Sequence, residues 1–156
     1  MIAPKGNKFK IGKTSNLYSN KEKPYRRGSW NIAKDLPSSF KYAFQGLSYA
    51  FFSQRNFRIH VFIGFLVILL SIWLGLSFSN FAILVLIIAT VLVLELINTS
   101  LEAVVDLAIG QQFHPIARIA KDCAAASVLV GALSSLIIAL LILLPPTLQK
   151  LGITTS

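Results

Sequence analysis

The chain has 156 residues, of which 54% are hydrophobic and only 13% charged, and its formal net charge is +9. That is too apolar for an ordinary soluble domain, and the length suits a single domain. The charge is unevenly placed: residues 1–35 hold nine lysines and arginines against Glu22 and Asp35, while Glu95, Glu102, Asp106 and Asp122 lie between 95 and 122. Basic charge therefore belongs to a tail and acidic charge to a site.

Residues 1–36 are rich in Lys, Asn, Ser, Gly and Pro and read as a basic, disordered tail. Beside apolar helices, such a tail suits a cytoplasmic segment facing anionic lipid headgroups, with no nucleic acid as partner. No apolar run opens the chain, so no cleavable signal peptide is expected. Cys123 is the sole cysteine, which excludes an intrachain disulfide. Ser38, after Pro37, reads as the N-cap of a helix over 38–53. Its apolar positions Phe40, Phe44, Leu47 and Phe51 share one face, as in a helix lying on a membrane surface. Three apolar stretches follow, at about 59–78, 81–101 and 123–144, the last ended by Pro145-Pro146. Each approaches the ~20 residues a bilayer requires. Twelve Lys/Arg precede the first span, the first connection is uncharged, and the second carries Arg118 and Lys121. The positive-inside bias then places the N-terminus in the cytoplasm and the C-terminus, with its short tail 145–156, outside.

The second apolar stretch carries the chemistry. Glu95, Asn98, Thr99, Glu102 and Asp106 follow helical spacing and share one face, opposite Val, Leu, Ile and Ala. An ionised carboxylate within a bilayer costs at least about 2.5–3.5 kcal/mol, so intramembrane acids default to function. At about 1.5 Å per residue, Glu95 falls near the cytoplasmic boundary of the hydrocarbon, with Glu102 and Asp106 at headgroup level or beyond. Such a stripe meets both a lipid headgroup and a water-soluble cosubstrate. Three helices wrap it incompletely, so a homo-oligomer is expected.

Hard cations such as Mg²⁺ take carboxylate oxygens and arrive with substrate phosphates. Glu102 and Asp122, with Asp106 in reserve, suit that role, and Lys121, opening the third span, suits a phosphate. Glu95, partly desolvated, suits a general base. The set points to phosphoryl transfer onto a lipid alcohol. No Walker A sequence and no kinase Gly-rich loop is present. On the residues alone, a second reading stays open: a small oligomeric ion channel or proton-coupled transporter in which Glu95 titrates. The Lys121-Asp122 pair, which a pore does not need, separates the two.

Four motifs sharpen this: Ser39-Phe-Lys-Tyr42-Ala-Phe-Gln-Gly46-Leu, Arg55-Asn-Phe-Arg58-Ile-His60, the run from Glu95 to Asp106, and His114-Pro-Ile-Ala-Arg-Ile-Ala-Lys121-Asp122. Across 38–144 the chain resembles the small bacterial membrane lipid kinases, the prokaryotic diacylglycerol kinase and undecaprenol kinase family. The resemblance implies an all-α integral membrane fold in the bacterial inner membrane, with a surface helix and three transmembrane helices assembled as a homotrimer. It implies ATP as cosubstrate, Mg²⁺, and diacylglycerol or undecaprenol as acceptor. Glu95 matches the family's proton acceptor, Asn98 the polar residue beside it, and Glu102 a metal-binding glutamate. Arg58 belongs with Glu95 and Asn98 on the lipid side. Lys121 and Asp122 match a nucleotide-contacting pair, Gln112-Phe113-His114 a loop that touches ATP, and Tyr42 a position near the nucleotide. One departure stands out: Gln54 occupies the position where relatives commonly carry a second metal-binding glutamate. A glutamine offers a neutral carbonyl oxygen there, still a hard ligand.

Overall fold

In a computed structural model of the chain, residues 36–110 and 112–153 are described. They form four α-helices, α1 (Leu36–Ser53), α2 (Arg55–Leu74), α3 (Phe78–Ile109) and α4 (Pro115–Lys150), with no strand among the described residues. The expected tail over 1–36 lies outside the described residues except for Leu36, as do residues 154–156. The chain divides at Ser39–Phe40, and the helical body runs from Phe40 onward.

Helix α1 begins at Leu36, so Ser38 lies inside it instead of capping it. Pro37 accounts for the difference. Its fixed φ and missing N–H both suit a first helical turn, where that donor has no partner anyway. Phe40, Phe44, Leu47 and Phe51 are all exposed, so α1 turns an apolar face outward. Gln54 interrupts the helix in an extended conformation (φ −102°, ψ 116°), and α2 starts at the next residue.

The α2–α3 connection is short and strongly specified. Gly75 adopts φ 68°, a left-handed conformation that costs glycine little. Its N–H donates to the Ile72 carbonyl at 3.1 Å, and that of Leu76 to the Ser71 carbonyl at 3.2 Å. This is the Schellman pair that ends a helix by satisfying its last carbonyls. Ser77 then caps α3, its Oγ accepting from the Asn80 N–H at 3.5 Å.

Helices α3 and α4 both outrun the spans expected from hydropathy. α3 has 32 residues and α4 has 36, or about 48 and 54 Å at 1.5 Å per residue, against a hydrocarbon thickness of about 30 Å. No breaker intervenes in α3 before Gly110 (φ 61°), so the helix carries Glu102 and Asp106 beyond the expected boundary at 101. Helix α4 starts at Pro115, which occupies its first turn, so Lys121 lies within the helix and does not open it. At the other end α4 continues through Pro145-Pro146 to Lys150, where the sequence reading stopped it. Proline's φ is helical, and local bonds hold the last turn: the Thr147 hydroxyl donates to the Leu143 carbonyl at 2.6 Å, and Lys150 Nζ bonds the Trp73 carbonyl while lying 4.4 Å above the Trp73 ring.

Helices α2, α3 and α4 are each long and apolar enough to cross a membrane. α3 packs against both α2 and α4. Its buried residues, Leu84, Val91, Glu95 and Thr99, form one stripe, so the functional face continues the packing face. Most apolar side chains on the three helices point outward, as a lipid environment or further subunits would require.

Two glycines set the helix spacing. A Cβ on Gly64 would lie 2.7 Å from Cγ2 of Ile88, and one on Gly131 would strike Cδ1 of Leu94. The Ile88 methyl branches from Cβ and is held by its single preferred helical rotamer, whereas Leu94 meets Gly131 with a flexible tip. Overpacking costs about 1–3 kcal/mol, against at most about 1 kcal/mol regained in helix propensity. Gly64→Ala is expected to lower the thermal midpoint in detergent, and Gly131→Ala to lower it less. Unchanged midpoints in both would show that neither glycine sets the spacing.

Candidate functional site

The acids of α3 meet neighbours from α2 and α4 at one end of the three-helix body. Glu95 is 3% exposed. Its Oε1 lies 3.5 Å from His60 Nε2 on α2, without hydrogen-bond geometry, and has no hydrogen-bond partner among the described residues. One turn on, the Thr99 hydroxyl donates to the Glu95 carbonyl at 2.9 Å, which ties that side chain to the helix backbone.

Asn98 and Glu102 form a second unit. Asn98 Nδ2 donates to Glu102 Oε1 at 3.1 Å, and Asn98 Oδ1 is buried with no hydrogen-bond partner among the described residues. Two buried acceptor oxygens, Glu95 Oε1 and Asn98 Oδ1, therefore stand near each other along one stripe with nothing donating to them. Buried acceptors of this kind are uncommon and suit an incoming donor or cation.

The third unit joins α3 to α4. Lys121 Nζ lies 2.5 Å from Asp106 Oδ1. Asp122, adjacent in sequence, points elsewhere and pairs with Arg118 at 3.6 Å within α4. Successive helical residues diverge by about 100°, so the two members of the expected nucleotide pair face different partners.

The remaining candidates lie around this end. Arg58 is exposed on the first turn of α2, and Gln54 is half-buried at the α1–α2 junction with no capping hydrogen bond from its side chain. Tyr42 is half-buried on α1. Gln112, Phe113 and His114 form the exposed segment before α4. His60, close to Arg58 in the sequence, reads there as an interfacial residue within reach of substrate. The signal that would have placed it was helical spacing: Phe57, His60, Gly64 and Ser71 run down the packing side of α2.

An apolar groove of about 280 Å³ opens between α2, α3 and α4, walled by Gly64, Val67, Ile88, Val91 and Leu133. Among the described residues, His60 is the only titratable group in its lining. The groove is therefore linked to the Glu95 carboxylate through one imidazole.

Among the described residues, no group of three or more His, Cys, Asp or Glu is arranged to hold a metal ion. The donors present are hard oxygens: the Glu102 carboxylate and the orphaned Asn98 carbonyl oxygen beside it. That set fits Mg²⁺, which commonly takes one or two carboxylates and completes its shell with water and substrate phosphates. It does not fit a self-sufficient protein cage.

A family model described as prokaryotic diacylglycerol kinase matches residues 41–143, which contain every one of these pairs. The chain is 50% identical over 128 residues to a diacylglycerol kinase of Synechocystis sp., covering 82% of this chain and 73% of that protein. It is 40% identical over 107 residues to an undecaprenol kinase of Bacillus subtilis, covering 69% and 86%. It is also 29% identical over 96 residues to a diacylglycerol kinase of Escherichia coli strain K12, covering 62% and 78%.

The Lys121 and Asp106 side chains are 37% and 59% exposed, so water screens their attraction. Ion pairs in such settings contribute about 0–1 kcal/mol. Asp106→Asn is expected to change unfolding free energy in detergent by less than about 1 kcal/mol. A larger loss would show that this pair, and not the apolar packing, fastens α4 to α3.

Proposed function

The chain belongs to the prokaryotic diacylglycerol kinase family, whose members are ATP-dependent lipid kinases of the bacterial membrane, and from that premise we propose how its own residues divide the work. The reaction is transfer of the γ-phosphate of ATP to the hydroxyl of a membrane lipid alcohol. The acceptor is diacylglycerol, giving phosphatidic acid, or undecaprenol, giving undecaprenyl phosphate. The longer match, at 50% identity, is to a protein named diacylglycerol kinase, which supports that lipid as the first to offer.

The observation that carries the reading is the buried Glu95 carboxylate, with an unpartnered oxygen, linked through His60 to an apolar groove. A hydrocarbon chain in the groove brings its hydroxyl to the only acid buried in the stripe. Glu95 accepts the hydroxyl proton, the alkoxide oxygen bonds to the γ-phosphorus, and the bond to the ADP oxygen breaks. The proton then leaves Glu95 for solvent. Asn98, hydrogen-bonded to Glu102, holds the second carboxylate in line with the first. Lys121 exchanges Asp106 for the nucleotide phosphates and offsets their charge, with Asp122, Tyr42 and the 112–114 segment around the nucleotide. Arg58, two residues before His60 at the groove, meets the lipid headgroup. Mg²⁺, when bound, would neutralise the phosphate oxygens; Glu102, with the Asn98 carbonyl oxygen beside it and Gln54, would hold it.

The same reading extends to assembly and orientation. Arg55, Arg58, Arg118 and Lys121 lie at the end of the body that holds the site, which supports a cytoplasmic location for that end. The exposed phenylalanines of α1 suit a membrane-surface position, and the basic residues 1–36 suit anionic headgroups. The outward apolar surface of the helices supports a homotrimer.

The test uses purified protein in mixed micelles with γ-labelled ATP, offering diacylglycerol and undecaprenol separately, with Mg²⁺ present or omitted. Magnesium-dependent labelling of one lipid is expected. Glu95→Gln should lower turnover by about 100-fold or more while leaving the oligomer intact; retained turnover would remove Glu95 from the role of base. Glu102→Gln should raise the Mg²⁺ concentration needed for half-maximal activity. An unchanged Mg²⁺ activation curve would mean that Glu102 does not hold the metal.

A further inference from the structure

Glu95 and His60 face each other from different helices, and the donors around them are already committed. Asn98 Nδ2 bonds Glu102, the Thr99 hydroxyl bonds the Glu95 main chain, and Lys121 is paired with Asp106. Among the described residues, His60, with Nε2 at 3.5 Å, is the one basic side chain within ion-pair distance of the Glu95 carboxylate. On α2 the imidazole follows buried Phe57 by one turn and precedes buried Gly64 by one turn. It also lines the apolar groove, so it adjoins both the carboxylate and the space read above as the acceptor's.

We propose that His60 is the positioning residue of Glu95, its Nε2–H donating to Oε1 so that the second carboxylate oxygen is turned to the lipid hydroxyl. The proposal rests on the reading of Glu95 as proton acceptor. A glutamate carboxylate turns about three side-chain torsions among several orientations, and only those with a lone pair directed at the hydroxyl are productive. A donor fixed on a neighbouring helix selects among them. The contact shortens by a few tenths of an ångström into a hydrogen bond as substrate fills the site, as loose catalytic contacts commonly do. The neutral imidazole suffices: one N–H is needed, and no charge.

The role has a distinct signature. A glutamine side chain carries an N–H donor at about the reach of Nε2, an asparagine falls short of it, and an alanine has none. The full-length protein would be assayed in mixed micelles with diacylglycerol and, separately, undecaprenol, after gel filtration shows each variant in the parent's oligomer. His60→Ala and His60→Asn are expected to lower kcat by about 10- to 100-fold, with the KM for ATP changed less than about twofold. His60→Gln should return kcat to within about threefold of the parent. In a Glu95→Gln background, His60→Ala should cause no further loss of the residual rate, because His60 acts through that carboxylate. If the alanine variant does not assemble, the asparagine and glutamine variants carry the comparison. Parental kcat in His60→Asn, equal impairment of the asparagine and glutamine variants, or a full further loss in the Glu95→Gln background would overturn the proposal. Parental turnover of Glu95→Gln alone would instead overturn the reading of Glu95 as base, so the two failures are separable.

Discussion

A carboxylate buried among apolar helices needs compensation from its neighbours, and the group that faces Glu95 across the α2–α3 interface is the His60 imidazole, 3.5 Å from Oε1. An unpaired charge in that position is costly, so what stands opposite the carboxylate matters. The position of α2 relative to α3 is therefore a chemical constraint as well as a packing one. The Gly75 turn sets the stagger of the two helices, the Gly64–Ile88 contact sets their separation, and His60 arrives opposite Glu95 as a result. A shift of one residue along α2 would carry the imidazole about 100° round the helix and away from the acid.

The site divides along α3 by wetness. Glu95 is buried, Asn98 and Glu102 are half-buried, and Asp106 is exposed. This gradient matches the two substrates of a lipid kinase, one dissolved in hydrocarbon and one in water. The proposed base lies on the dry side, where a carboxylate's interactions are stronger. The proposed nucleotide contacts lie on the wet side, where a charged cosubstrate enters and leaves without crossing an apolar barrier. Lys121 has an anionic partner in Asp106, so its ammonium is held near the position where phosphates would compete for it.

The presence of three long apolar helices and the shared face of Glu95, Asn98, Glu102 and Asp106 were legible in the sequence, because both follow from helical periodicity and from hydrophobic length. The helix ends were less so. Pro37, Pro115 and the Pro145-Pro146 pair look like boundaries, yet the first two sit in first turns and the last pair is carried by helical φ and by bonds further on. The cross-helix partners were not legible at all. Lys121 and Asp122 are a pair by adjacency in the chain, and nothing in that pattern points Lys121 to Asp106, 15 residues earlier. His60 gave no hint of Glu95, because that meeting depends on the stagger of two helices and no local pattern encodes it.

The length of α3 has a mechanical meaning. The helix is one unbroken rod of 32 residues, with no proline and no glycine from Phe78 to Ile109. Glu95 and Asp106 are thus fixed on a common shaft about 16 Å apart along its axis. The shaft cannot bend to follow the lipid surface, so the height of that surface against the stripe is set by where the whole bundle floats. A bilayer thicker by about one helical turn, about 5.4 Å, would draw Glu102 toward the hydrocarbon and leave less of the acidic stripe in water. The thickness of the surrounding lipid thereby becomes a variable of the reaction, acting through the depth of the bundle with no change in its internal geometry.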